Sequence, residues 1–311
     1  MSGAARRDGP IAATTPDGSR LHLQHGPIDL VIEAFGEPAA VAAGYRRAWD
    51  RFQPLLDELV AELPALRRPL PEQRAAEPTG PVARRMADAV RPFSADIFIT
   101  PMAAVAGAVA DEICAALAAG GELRRAYVND GGDIALLLQP GERLDVGLVA
   151  VPRRPVLAGK TTIVASDPVR GVATSGRHGR SFSLGIADAV TVLAADAARA
   201  DAAATVIANA VDLPGHPAIR RVPAAELEPD SDLGGREVTA EVGPLGPDEV
   251  DRALAHGVAQ AERMRSRGLI VAAVLCLDER IRTVGLPDGS AGRGPSEPVL
   301  ASGGFGSRAP R

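Results

Sequence analysis

The sequence contains a single lysine, Lys160, and only 3% aromatic residues among its 311 residues. Its formal net charge is −5, and no stretch combines clustered Lys and Arg with interleaved aromatics. Because nucleic-acid-binding domains carry such a basic surface, the composition argues against a nucleic-acid partner. The scarcity of aromatics also means that Ala, Val, Leu and Ile must form most of the core.

Cysteine is equally rare, and Cys114 and Cys276 each lie in an apolar run. Neither belongs to a metal-type CxxC pair, so each is expected to be a small buried hydrophobe. The N-terminal segment MSGAARRDGPIAATTPDG lacks the apolar stretch of a signal peptide. The longest apolar run, residues 269–277, is too short to span a bilayer. The sequence therefore predicts a cytoplasmic protein with no membrane partner.

The sequence does contain interleaved helix-like and strand-like segments. Alternating polarity over 27–35 predicts a strand, and helix formers over 38–63 predict a helix that Pro54 breaks or kinks. A second helix runs through TPMAAVAGAVADEICAALAAGG and ends at its two glycines. Later helices are expected over ARADAAATVIANAV and 247–267, and a last strand over 269–276. The middle of the chain holds six short strand-like segments: 124–129, 133–138, 144–151, 161–166, 171–175 and 188–194.

Strands gathered in the middle of the chain, with helices before and after them, predict an α+β fold. The short spacings favour a largely antiparallel central sheet with flanking helices. We predict a single domain over residues 10–285, preceded by a flexible tail over 1–9. The Gly-, Pro- and Ser-rich segment 286–311 is expected to be a disordered tail.

One turn is unusually polar. In AYVNDGGDIALLL, two apolar flanks enclose Asn129, Asp130, Gly131, Gly132 and Asp133. Asp-Gly between apolar runs is a strong hairpin signal, so the stretch by itself favours a plain turn. A hairpin needs only one Asp-Gly, however, and paired glycines let a ligand approach the backbone closely. The neighbouring carboxylate and amide oxygens would suit a polyol or a hard cation.

A second polar segment is GVATSGRHGRSFSLG, in which Thr174, Ser175 and Gly176 end an apolar strand. Hydroxyls and free backbone N–H groups at a strand end can bind a phosphate, and the nearby His178 could act as an acid or base. The competing interpretation is a polar loop with a solvated histidine. No G-x-S-x-G pattern is present, which argues against a serine hydrolase.

The third candidate is the helix ADAAATVIANAV, which is apolar on almost all sides and should be largely buried. Asp201, Thr205 and Asn209 are four residues apart and form one polar stripe. A carboxylate and a hydroxyl one turn apart would suit Mg²⁺, which leaves room for a substrate phosphate. Alternatively, Asp201 complements the helix N-terminus and Thr205 bonds back to the backbone. Such Ala- and Val-rich helices could serve a homodimer as well as a core.

The order of these motifs resembles the ApbE-like superfamily, whose best-known members are FAD:protein FMN transferases. The family patterns are a helix A-K-G-x-x-x-D, a strand-turn V-N-x-G-G-D, a T-S-G loop and a D-x-x-x-T helix. They match Gly107 with Asp111, then 128–136, 172–176 and 200–205, within roughly residues 95–211. The segments GPIDLVIEAFGEP, PMAAVAGAVADEI and SFSLGIADAVTVLA resemble a compact cytoplasmic branch of unsettled function.

The resemblance implies an ApbE-like fold with an FAD site and a Mg²⁺ site. By position, Asp201 and Thr205 would be side-chain Mg²⁺ ligands, and a backbone carbonyl near Val105 would be a third. The turn 129–133 and the loop 174–176 would line the flavin nucleotide, so the hairpin would form one wall of the pocket. Asp111 and His178 are the candidate catalytic residues. In the transferases, FMN passes from FAD to a protein threonine, or to water with release of AMP.

The sequence also departs from the transferase pattern. Ala106 stands where the transferases carry a lysine, and SFSLGIAD (181–188) stands where they carry S-H-I-I-D-P with a functional histidine. The expected function is therefore Mg²⁺-dependent flavin transfer or FAD pyrophosphate hydrolysis, with a flavin nucleotide and a protein acceptor or redox partner. The alternatives are a non-catalytic flavin- or nucleotide-binding protein that serves a redox or biosynthetic partner, and a different enzyme acting on another phosphorylated or heterocyclic metabolite.

Overall fold

The computed structural model describes residues 9–70, 77–151, 156–286 and 299–300. The first strands are β1 (Ile11–Thr14), β2 (Arg20–His25), β3 (Ile28–Gly36), β4 (Leu123–Asp130), β5 (Asp133–Leu138), β6 (Arg143–Val151) and β7 (Val156–Val164). The later strands are β8 (Gly171–Ser175), β9 (Ala189–Ala194), β10 (Ile219–Pro223), β11 (Glu237–Val242), β12 (Ala272–Leu277), β13 (Arg280–Val284) and β14 (Val299–Leu300).

The helices are α1 (Pro38–Phe52), α2 (Leu55–Leu66), α3 (Pro81–Val90), α4 (Val105–Ala118), α5 (Ala197–Ala210), α6 (Ala224–Leu227) and α7 (Pro247–Ser266), with a 3-10 turn at Pro101–Ala104 before α4. The central sheet has nine strands in the order β1-β2-β3-β4-β5-β8-β9-β12-β13. Every neighbouring pair in it is antiparallel. The predicted α+β class with an antiparallel central sheet and flanking helices is confirmed.

The two faces of the central sheet belong to two different apolar clusters. Along β5, Ala135 and Leu137 pack into the helix-side core, whereas Ile134 and Leu136 pack into the cluster on the opposite face. This alternation follows from the two-residue period of a strand. Helices α1, α4, α5 and α7 cover the first face. The β6–β7 hairpin contributes Leu144, Val146 and Ile163 to the second.

Several boundaries match the sequence predictions closely. The helix expected over 38–63 is divided into α1 and α2 at Pro54, as the proline predicts. Two elements differ from the predictions. The segment 213–246, expected to be irregular, contains the antiparallel pair β10–β11. Helix α3 follows the proline-rich connector and has no counterpart among the predicted helices. Residues 1–8, most of the predicted flexible tail, lie outside the described residues. Of the predicted disordered tail, the described part is Leu286 and β14, which pairs in parallel with β6.

Helices α4 and α5 are core helices of this fold. Within the described part of the chain, Pro101–Ala118 is the one helical segment long and apolar enough to cross a membrane by length and composition, and half of it is buried inside the protein. This segment is longer than the uninterrupted apolar run at residues 269–277. Helix α5 lies against β8, β9, α4 and α7, which accounts for its Ala-rich surface. A homodimer stays a prediction.

Candidate functional site

The predicted site residues of the hairpin and of the loop after β8 gather at one end of the central sheet. Strand β4 ends at Asp130, and its antiparallel neighbour β5 begins at Asp133. Strand β8 runs antiparallel to β5, so its last residues, Thr174 and Ser175, lie at the same end. The N-termini of α4 and α5 approach each other on the helix side of the sheet. Residues far apart in sequence are thereby brought into one region.

The turn between β4 and β5 is a two-residue hairpin. Asp130 pairs with Asp133, and the two residues between them have positive φ angles, +62° at Gly131 and +117° at Gly132. Such angles are costly for residues with a Cβ atom, which explains the paired glycines. The Asn129 Oδ1 accepts a 2.8 Å hydrogen bond from the Gly132 N–H, so this amide holds the turn. The predicted hairpin is confirmed.

Asp201 caps a helix other than its own. Its Oδ2 accepts a 3.1 Å hydrogen bond from the Gly107 N–H, in the first turn of α4, and the Ala106 N–H also bonds to the carboxylate. The N-cap residue of α4 is Ala104, which has no side-chain acceptor. The carboxylate therefore satisfies amides that would otherwise lack a partner at the positive end of the helix dipole. The sequence-based alternative, that Asp201 complements its own helix N-terminus, is wrong, because Asp196 caps α5.

Asp111, in α4, caps the N-terminus of α5 in the same way. Its Oδ1 accepts a 3.0 Å hydrogen bond from the Ala197 N–H, and its Oδ2 accepts a 2.9 Å bond from the Ala198 N–H. Burial raises the pKa of Asp111 to about 6, although these two amide bonds favour the charged form. The G-x-x-x-D and D-x-x-x-T helices are thus joined by two carboxylates that each cap the other helix. Both oxygens of this candidate catalytic residue are engaged with backbone amides.

Gly107 allows the two helices to approach this closely. A Cβ atom built at this position would lie 2.3 Å from the Ala197 carbonyl oxygen, well inside van der Waals contact. We expect Gly107→Ala to lower the free energy of unfolding by about 1–3 kcal/mol, since the backbone of α5 must move to relieve the overlap. Urea denaturation measures this change. Gly235→Ala is the matched control, because nothing lies within 4 Å of its added Cβ; equal effects of both substitutions would contradict the expectation.

Asp201 and two further carboxylates, Asp130 and Asp133, share raised pKa values at the site. Burial raises the pKa of Asp130, which is 5% exposed, to about 8, and the Asp133 carboxylate adds to the effect. Burial and the neighbouring Asp201 also raise the pKa of Asp133. Burial raises the pKa of Asp201 to about 7 despite its amide bonds, with a contribution from Asp130. These acidic groups therefore raise one another's pKa values in a poorly solvated region.

The loop after β8 faces the same region. The Thr174 N–H donates a 3.1 Å hydrogen bond to the Asp133 Oδ1, which ties this strand end to the hairpin. The Thr174 hydroxyl lies 2.9 Å from the Thr191 hydroxyl, and Ser175 is half-buried beside it. A Cβ at Gly176 would lie 2.4 Å from the Asp188 carbonyl oxygen, so this glycine permits close backbone packing.

His178 lies in an ion-pair cluster centred on Asp188. Its Nε2 is 3.2 Å from the Asp188 Oδ1, and the Nε and Nη2 of Arg177 donate to the same oxygen at 2.9 and 2.6 Å. The Asp278 N–H donates to the other oxygen of Asp188 at 2.7 Å. His178 is therefore partly buried and anchored, unlike the solvated histidine of the competing interpretation, and it lies at the same end of the sheet as the hairpin.

The remaining predicted residues lie around α4 and α5. Val105 is the first residue of α4 and is partly exposed. Thr205 lies one turn after Asp201 and is also partly exposed, whereas the residues between them are buried. Asn209 does not continue this stripe toward the acidic groups. Its Oδ1 accepts a 2.9 Å hydrogen bond from the Leu184 N–H and so anchors the segment before β9.

Arg180 also lies at this site, in the segment GVATSGRHGRSFSLG. Its guanidinium is packed over the hairpin turn, with Nη1 3.4 Å from the Cβ position of Gly131. Its positive charge lowers the pKa of both Asp130 and Asp133, against the larger effect of burial. The sequence signal for this residue is an arginine in a glycine-rich loop. Local sequence does not indicate that its side chain reaches the hairpin, because that contact depends on the order of the strands in the sheet.

Comparisons with known proteins place this arrangement in a family. A UPF0280 protein of Methanopyrus kandleri is 40% identical over 155 residues, covering 50% of this chain and 59% of that protein. A UPF0280 protein of Methanothrix thermoacetophila is 37% identical, covering 50% and 63%. That of Methanosarcina acetivorans is 31% identical, covering 59% and 70%. The chain thus spans about 60% of the length of the first two relatives.

Among solved structures, the flavin transferase ApbE of Vibrio cholerae, as an H257G mutant, is 12% identical with a TM-score of 0.41, over 89% of this chain and 97% of that one. The flavinyl transferase ApbE of Pseudomonas stutzeri in its apo form is 15% identical with a TM-score of 0.34, over 88% and 93%. A family model described as AbpE bacteria matches residues 12–283, which is most of the chain. The predicted resemblance is confirmed, and the chain belongs to this family.

Proposed function

We propose that this chain binds a flavin nucleotide together with Mg²⁺ and catalyses FMN transfer to a protein acceptor or hydrolysis of the FAD pyrophosphate. The observation that carries the proposal is a group of one buried and two half-buried carboxylates, Asp130, Asp133 and Asp201, whose pKa values are all raised. Holding several like charges in a poorly solvated region is costly unless a cation joins them. The family resemblance of the four motifs supports a flavin as the nucleotide.

The donor set fits Mg²⁺. Within the described ranges, no group of three or more His, Cys, Asp or Glu side chains forms a ready-made metal site. Mg²⁺ usually takes one or two protein carboxylates and completes its shell with water and substrate phosphate, so an incomplete set of oxygen donors suits it. Asp201 would hold the ion, and Thr205 and the Val105 carbonyl are the further ligands that the family resemblance implies. When bound, Mg²⁺ would neutralise charge on the pyrophosphate.

The residues of the chain itself would position the nucleotide. The Thr174 amide already donates to Asp133, so the hydroxyls of Thr174 and Ser175 are the groups of this loop that suit hydrogen bonding to a phosphate. The hairpin 129–133, with the Arg180 guanidinium against its Gly131 backbone, would form one wall of the nucleotide pocket. Asp111 acts as a positioning residue in this proposal, because its carboxylate fixes the start of α5 and therefore the placement of Asp201.

A non-catalytic flavin- or nucleotide-binding protein is the second candidate. Two observations favour it: Ala106 has no ionisable side chain at the lysine position of the transferases, and Asp111 and His178 are both engaged with structural partners. Such a protein would serve a redox or biosynthetic partner. We place either activity in the cytoplasm, which the two buried, unpaired cysteines support.

Titration calorimetry with FAD, with and without Mg²⁺, tests the proposal, and chromatography then detects AMP. We expect binding that strengthens with Mg²⁺ because the ion neutralises both the carboxylates and the pyrophosphate. Release of AMP would support the enzyme, whereas binding without AMP would favour the carrier. Absence of FAD binding under both conditions would contradict the proposal and point to another ligand at the same site.

A further inference from the structure

The loop between β8 and β9 carries Arg180 across the end of the sheet. In the strand order, β5 and β4 lie between β8 and β3. The Arg180 Nη1 nevertheless reaches the Pro27 carbonyl oxygen, immediately before β3, at 3.4 Å. The side chain therefore extends over the ends of β5 and β4, where Asp133 and Asp130 lie. An exposed arginine directed into solvent would not make this contact.

The hairpin turn leaves room for the guanidinium. Nη1 and Cζ of Arg180 lie 3.4 and 3.7 Å from the Cβ position of Gly131, so the planar group lies against the bare backbone of the turn. A side chain at this position would compete with the guanidinium for this space. Arg180 is thus one wall of the region that contains the buried carboxylates and the hydroxyls of Thr174 and Ser175.

The guanidinium keeps most of its hydrogen-bonding capacity. In the part of the chain that the structure describes, no carboxylate lies within 4 Å of it, and its bond to Pro27 is long. Arg177, three residues earlier, is paired to Asp188 at 2.6 Å. Arg180 is also exposed to solvent. An exposed guanidinium with free donors is suited to bidentate binding of a phosphate or another anionic group.

We propose that Arg180 is the anion-recognition residue of the site and binds a phosphate of the nucleotide. The inference rests on the proposed function, since it concerns the same site. It gives this chain a source of positive charge near the pyrophosphate, although Ala106 removes the lysine of the transferase motif. In this arrangement the carboxylates would bind the cation, and Arg180 would bind the phosphate.

The test compares ligands that differ in phosphate content: riboflavin, FMN, FAD and inorganic pyrophosphate, each titrated with Mg²⁺ present. We expect Arg180→Gln to weaken FMN, FAD and pyrophosphate binding about tenfold to a hundredfold, the effect of losing a charge-assisted hydrogen bond, and to leave riboflavin binding unchanged. Arg180→Lys should restore part of the loss. Arg124→Gln is the matched control, because Arg124 is an exposed arginine at the other end of β4.

The outcomes separate the two proposals. FAD binding that is equally strong in Arg180→Gln, or a loss that riboflavin shares, would overturn the role of Arg180 and leave the flavin site standing. Pyrophosphate binding that depends on Arg180, without any flavin binding, would support the role of Arg180 and contradict the flavin proposal. A chain that binds none of the four ligands would overturn both.

Discussion

Asp201→Asn is expected to abolish the Mg²⁺ dependence of FAD binding and to weaken Mg²⁺ binding at least about a hundredfold. Outer-shell partners of a metal site are typically worth 10- to 100-fold, so a direct ligand should be worth at least as much. An asparagine retains an oxygen that can accept from the Gly107 N–H, so the cap on α4 is preserved. The substitution therefore removes the charge and keeps the structural role of the side chain.

The measurement is calorimetric titration of Mg²⁺, and of Mn²⁺ as a second probe, into the variant. Asp196→Asn is the matched control, because Asp196 lies at the start of the same helix and caps its own helix through Arg199. Asparagine is as good an N-cap as aspartate, so this control should change neither stability nor metal affinity appreciably. Unchanged Mg²⁺ affinity in Asp201→Asn would show that the carboxylate is only a helix cap.

The sequence predicted most elements that local patterns determine. Alternating polarity located β3, Pro54 separated α1 from α2, and the Asp-Gly signal located the hairpin at Gly131. These features depend on neighbouring residues alone. The pair β10–β11 was missed because its strands carry polar and charged residues and are partly exposed, so no apolar pattern marks them.

The partners of the site residues were beyond sequence analysis. Asp201 and Gly107 are 94 residues apart, and Asp111 and Ala197 are 86 residues apart. Periodicity could place Asp201 on a buried helix and demand a partner for it, but only the packing of α4 on α5 identifies that partner. The reach of Arg180 to Pro27 has the same cause, since it depends on the order of the strands in the sheet.

The second large effect is a fall in the stability of the Mg²⁺-free protein as the pH rises from about 5 to about 8. The folded state holds the pKa of Asp130 at about 8 and that of Asp201 at about 7, against 3.8 for a solvated aspartate. Between these values the folded protein binds more protons than the unfolded chain, so stability decreases with increasing pH. The effect is absent below about pH 4, where both states are protonated, and complete above about pH 8.

Mg²⁺ should reverse this trend. The ion favours the charged carboxylates, so the melting temperature should rise on adding Mg²⁺ by more at pH 8 than at pH 5.5. Thermal unfolding followed by circular dichroism gives the melting temperature as a function of pH, once in EDTA and once in saturating Mg²⁺. A melting temperature that is independent of pH in EDTA, or a Mg²⁺ effect that is equal at both pH values, would contradict the coupling of these carboxylates to a cation.

Asp130→Asn isolates the source of the pH dependence. Because an amide cannot ionise, the stability of the variant should fall much less between pH 5 and 8 than that of the unsubstituted chain. At pH 8 without Mg²⁺ the variant should therefore be the more stable of the two. Asp230→Asn removes the same charge from an exposed loop and should leave the slope unchanged. A site that is stabilised by removing one of its carboxylates, and only when the cation is absent, is built to bind that cation. If the stability of Asp130→Asn still fell by the full amount between pH 5 and 8, ionisation of Asp130 would not be the cause of the pH dependence.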